Sequence, residues 1–139
     1  MQKLNEVADR CNVIEECYEF MLAYAGQGVA GEEGHDSQIR DFLSRGAKAL
    51  SGLADVYTSA VKDGFGPPEQ SRAFIAVLDR DAKDSQAAVE LVLAQPAISS
   101  QLIDNLNASI HLRALLTDLF LIDEILKLHQ NARKPAAAS

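Results

Sequence analysis

Between Leu4 and Ala25 the apolar residues fall at Leu4, Val7, Cys11, Ile14, Tyr18, Met21 and Ala25, an unbroken alternation of steps of three and four. That spacing gathers side chains on one face of an α-helix and would scatter them over both faces of a strand, so the segment is read as helix. Val13, Cys17, Phe20 and Tyr24 repeat the same steps on another side. The later half of this helix therefore carries more apolar surface than one core face uses, and burial on two sides is expected.

A glycine-rich connection, AGQGVAGEEGHD from Ala25 to Asp36, separates it from a second stripe at Ile39, Leu43, Gly46, Leu50, Leu53, Tyr57 and Ala60. Asp36 or Ser37 can cap this second helix, which is expected to stop near DGFGPP, Asp63 to Pro68. Gly46, Ala47, Ala49, Gly52 and Ala54 are small, which allows a close approach of helix axes. Pro67 or Pro68 suits the first turn of a third helix, with core contacts at Phe74, Leu78, Ala82, Val89 and Val92 and an end near Gln95 and Pro96. A fourth helix is expected from about Ile98 to Asn131, roughly 50 Å long at 1.5 Å per residue. Its second half, HLRALLTDLFLIDEILKLH, is apolar nearly all round. These elements predict an all-α, antiparallel up-down-up-down four-helix bundle over residues 1–131, with a disordered tail at 132–139.

Composition narrows the partners. A net charge of −7 argues against nucleic acid or an anionic membrane surface, because phosphates reward clustered Lys and Arg. No apolar run reaches the ~20 residues of a bilayer span, and no leader opens the chain, so a cytoplasmic protein is expected. Cys11 and Cys17, six residues apart on one helix, are poorly placed to bridge each other and fit a reducing compartment. The sequon Asn107, Ala108, Ser109 sits in a helical stretch and is set aside.

Four motifs invite chemistry, and each is weakened by its context. GQGVAG matches the GxGxxG phosphate cradle, but a helix precedes it where a strand is needed, and Glu32 and Glu33 follow where a phosphate would sit. DRDAKDSQAAVE, Asp79 to Glu90, resembles a calcium loop at Asp79, Asp81 and Glu90, yet Lys83 stands at a ligand position and Asp84 where the turn needs Gly. An ion pair of Asp79 with Lys83 on a solvated face is the simpler reading. Glu15, Glu16 and Glu19 could supply carboxylates, and His111 and His129 imidazoles, but no Glu-x-x-His pair exists and five helical turns separate the two histidines. A phosphoaccepting His111 would be expected to have Lys and Gly at its third and fourth following positions, where Ala114 and Leu115 stand, although Asp104, Asn107 and Asp118 are placed to share its strip of helix.

Cys11 and Cys17 lie on apolar stripes with no cation to activate them. The sequence therefore assigns no catalytic residue, metal or cofactor, and predicts a non-enzymatic interaction protein: an adaptor, assembly factor or regulator of another protein. The surplus apolar surface predicts a homodimer through Val13, Cys17, Phe20, Tyr24, Leu115, Leu119, Ile122 and Leu126. The alternative is a small-ligand, metal or cofactor-binding bundle with a pocket near Tyr18, Tyr57 and His111.

Overall fold

A computed structural model describes residues 2–31, 36–60 and 66–133. Among these the chain forms α1 (Gln2–Ala25), α2 (Ser37–Leu50), α3 (Leu53–Ala60), α4 (Pro68–Leu93), α5 (Ser100–Ala108) and α6 (Ile110–Arg133). The all-α expectation holds, but the four-helix bundle is incorrect: six helices replace it. The tail from 134 onward, Glu32 to His35 and the DGF of the second turn lie outside the described residues.

Two breaks account for the difference. The expected second helix stops at Leu50 because Ser51 is extended, with ψ 119°, and Gly52 takes φ +67°, a left-handed conformation that glycine adopts without a Cβ penalty. The Arg10 guanidinium from α1 donates to the carbonyls of Ala49 and Ser51, satisfying acceptors that the break leaves without helical partners. The expected fourth helix breaks at Ser109, whose ψ of 144° turns the chain, while its hydroxyl donates to the Leu106 carbonyl at 2.6 Å. Ser99 caps the shorter α5 that results, accepting from the Leu102 N–H at 3.0 Å.

α1 and α4 are the long spacers of the fold. α1 packs on α2, α3 and α5, whereas α4 packs on α2, α3, α5 and α6. One core cluster joins Ile14, Leu50, Leu53, Tyr57, Leu78, Ala82, Leu115 and Ile122, and a second joins Cys17, Met21, Tyr24, Ile39, Leu43, Val89, Ile98 and Ile103. Each large side chain fully buried there contributes about 1.5–3 kcal/mol. Where α1 meets α2 the close approach is set by Gly46, on which a Cβ would come within 2.9 Å of the Cys17 Sγ.

The glycine-rich connection is a clasp. Gly28 turns the chain at φ +69°, and the Val29 N–H donates to the Ser100 Oγ at 2.8 Å, while the Ser100 N–H returns a bond to the Val29 carbonyl at 2.9 Å. Ser100 Oγ also donates to the Tyr24 carbonyl, and the Tyr24 hydroxyl donates to that of Ile98. Gly31, at φ +85°, lies where a Cβ would meet the Ser99 nitrogen at 2.9 Å, so its glycine serves a close backbone approach.

Asp36 makes no side-chain cap to α2. Its buried carboxylate instead pairs with Arg40 Nε at 3.0 Å and accepts from the Ile98 N–H at 3.2 Å. The Arg40 guanidinium, followed by that backbone donor, outweighs burial and holds the Asp36 carboxyl below its usual range. Arg40 in turn donates to the carbonyls of Leu93 and Gln95, closing the C-terminal end of α4.

Candidate functional site

α1 and α6 run past each other without close backbone packing, and the seam between them is open. The lower half is a cleft of about 410 Å³ lined by Val7, Cys11 and Glu15 of α1, Tyr57 of α3, and Leu119 and Asp123 of α6, among others. The upper half, about 350 Å³, is bounded by Tyr18 and Glu19 of α1 and by Arg113, Leu116 and Thr117 of α6. Glu15 and Phe120 line both halves, so the two form one groove. Past Ser109, α6 packs its backbone on α4, and it meets α1 only through side chains, Ile14 sharing a core cluster with Leu115, Leu116 and Leu119 beneath the open seam.

Phe120, on the groove, is 59% exposed, the aromatic ring among the chain's exposed large apolar side chains. At the floor the Cys11 Sγ lies 3.1 Å from the Tyr57 hydroxyl. Burial pushes the Cys11 thiol up, with the Tyr57 hydroxyl opposing it and Glu15 and Asp123 adding to it. Tyr57 is raised as well, by burial first, then by Cys11, Asp123 and Glu15. Both groups therefore stay protonated near neutral pH, and neither is a ready nucleophile.

The expected pocket residues divide. Tyr57 lines the lower half and Tyr18 the upper, while His111 is exposed at the start of α6 and lines neither. Of the expected dimer residues, Cys17, Tyr24, Leu115, Leu119 and Ile122 are buried within the chain's own core, and Val13, Phe20 and Leu126 are half-buried. Phe20 stacks on Phe42 at 4.2 Å, and the Arg45 guanidinium covers the other ring at 4.4 Å. Cys17 is a buried free thiol pushed up to about 11 by desolvation, with Arg45 opposing.

The motif segments are likewise placed. Asp79 to Glu90 lies within α4, where Asp79 and Lys83 pair at 2.8 Å. Asp104 and His111 are exposed while Asn107 and Asp118 are buried, and the break at Ser109 divides them, so they do not form one strip. Among the described residues no three His, Cys, Asp or Glu side chains are grouped to hold a metal ion. No described helix is long and apolar enough to cross a membrane.

Sequence reasoning missed a second polar feature, between α4 and α6. Asp118 is buried and hydrogen-bonded to Asp81; burial first, then that neighbour, pushes its carboxyl up to about 7. Its Oδ2 and the Ser85 hydroxyl have no hydrogen-bond partner. The groove's own key residues, Cys11, Glu15, Phe120 and Asp123, went unassigned as a group because they come from helices more than 100 residues apart in the chain. The one available signal was the apolar excess of the last helix.

Fold and groove together define a small all-α domain with an open interhelical seam between α1 and α6. Comparison with protein-family models, with curated proteins and with solved structures finds no match.

Proposed function

We propose that the protein is a non-enzymatic interaction protein that holds an apolar segment of another protein in the α1–α6 seam. The observation that carries this reading is Phe120: a large ring left 59% exposed on an apolar groove, where a partner would remove it from water. A binding role without catalysis is supported by the protonated thiol and phenol at the groove floor. The free thiols of Cys11 and Cys17 suit the cytoplasm.

A photo-crosslinking residue in place of Phe120, expressed in the native cell, tests the reading against the same residue in place of Leu91, which is exposed on α4 away from the groove. Protein adducts from position 120 and none from position 91 are expected. No adduct at 120, or the same adducts at both positions, overturns the proposal.

A second reading, a small apolar ligand in the seam, is favoured by the size of each half, which falls in the range of ligand pockets. Native mass spectrometry of the purified protein reads it directly as a bound mass. Self-association through α6 is supported by the exposed Phe120, Leu121 and Leu128, and light scattering distinguishes a dimer from a monomer.

A further inference from the structure

The two halves of the seam are offset by seven residues along both helices that form it: Cys11 to Tyr18 on α1 and Asp123 to Leu116 on α6. Seven residues are about 10 Å of helix and two turns, the separation of side chains i and i+7 on one face of a third helix laid in the groove. Residues Val7 to Glu19 line it over roughly 18 Å, room for about three turns.

Glu15 sits between the halves and lines both. Asp123 is paired with Lys127 at 3.2 Å, but Glu15 makes no ion pair among the described residues. The field at the floor is negative, since Glu15 and Asp123 both disfavour ionisation of Cys11 and Tyr57. Glu19 adds a further acid to the upper rim, opposite Arg113. Lys127, which also lines the lower half, answers Asp123, and Arg113 faces Glu19 above, so the unpaired charge left between the two halves is the carboxylate of Glu15, which a cation placed between two apolar anchors would meet and an anion would not tolerate.

We infer that the seam receives an amphipathic helix of a partner protein, presenting two large apolar side chains seven residues apart with a Lys or Arg between them to pair with Glu15. The inference rests on the reading of the seam as a protein-binding groove. One apolar anchor fills the half at Cys11 and Tyr57, and the other fills the half at Tyr18 and Leu116. Phe120 packs between them against the incoming helix.

The test uses labelled Ala-rich helical peptides of about 18 residues, long enough to hold helix, with Leu at positions i and i+7. One carries Lys at i+4 and the other Glu, and each is titrated against the full chain by fluorescence anisotropy. The Lys peptide is expected to bind roughly tenfold more tightly, a gap that narrows as salt rises. Glu15→Gln and Glu15→Lys remove that preference, while Asp104→Lys, which changes an exposed acid on α5 outside the groove, leaves it in place. Shifting the second Leu from i+7 to i+5 weakens binding by a similar factor.

Equal binding of the Lys and Glu peptides, with both lost on Phe120→Asp, overturns the charge rule and leaves the groove reading standing. A Lys preference that survives Glu15→Lys also overturns the inference. Binding by neither peptide overturns it too, and the crosslinks from position 120 then decide the groove reading separately.

Discussion

α1 has two long seams, and they are built in opposite ways. Against α2 a side chain meets a glycine: the Cys17 Sγ fills the space over Gly46, and the void beside Cys17, Met21, Gly46 and Leu50 is only about 10 Å³. Against α6 no glycine lines the seam, and its small residues, Ala8 and Cys11, face a cleft. Leu116, Leu119 and Phe120 stand opposite Glu15 and Tyr18, and the helices stay apart over two clefts of about 410 and 350 Å³. The distinction lies in how the facing side chains fit. Pairing large with small makes a closed core, while large residues facing acids leave a surface that another molecule can finish.

The largest effect expected from disturbing this contrast is at Gly46. Gly46→Ala places a Cβ within 2.9 Å of the Cys17 Sγ and is expected to cost about 1–3 kcal/mol of unfolding free energy by urea titration. In a Cys17→Ala background the same change loses the 2.9 Å contact, and only the Cβ of residue 17, at 3.3 Å, remains tight. It should then gain up to about 1 kcal/mol from the better helix propensity of Ala. A double-mutant cycle with no coupling would show that the closed seam is not held by this contact.

The α4–α6 interface lies between the two extremes, closed but with a carboxyl inside. Asp118 is held up at about 7, above its unfolded value, so the native state keeps a proton that the unfolded chain releases. The stabilising contribution is full below the unfolded pKa and is lost as pH rises from about 4 through 7. Asp118→Asn should raise stability above neutral pH by about 1–2 kcal/mol and flatten the dependence below it, measured by thermal unfolding across pH. Unchanged pH dependence would mean that the pair carries no shared proton.

Phe120→Ala is expected to have the smallest effect on stability, within about 0.5 kcal/mol, because the ring is mostly in water already. A loss comparable to a core substitution would mean that the open seam is structural after all.

Much of the fold is legible in the sequence. The α1 stripe, the proline start of α4 and its end before Pro96 follow from spacing and turn chemistry. The two breaks are harder to read, for different reasons. Across Ser51 and Gly52 the stripe Leu50, Leu53, Tyr57 keeps its helical spacing, so only the glycine, read as a packing residue, marked the kink. Ser109 offers less: serine is common inside helices, and nothing in the residues around it marks the extended ψ that ends α5. The groove was visible only as a surplus of apolar residues on α6. Which residues it brings together depends on where Ser109 sends that helix. Asp36 shows the limit of local rules, since its position predicts a cap while its carboxylate serves a backbone amide 62 residues away.

The clasp between Val29 and Ser100 also orders events in time. The end of α1 is fastened to residues some 70 positions further on, so this clasp cannot close until the chain has been made as far as Ser100 and α4 has folded back. Closing so long a loop is slow and must be repaid by many contacts at once. Until that clasp closes, the end of α1 is held only by its packing on α2 and α3, and the apolar residues around Tyr24 stay within reach of other molecules.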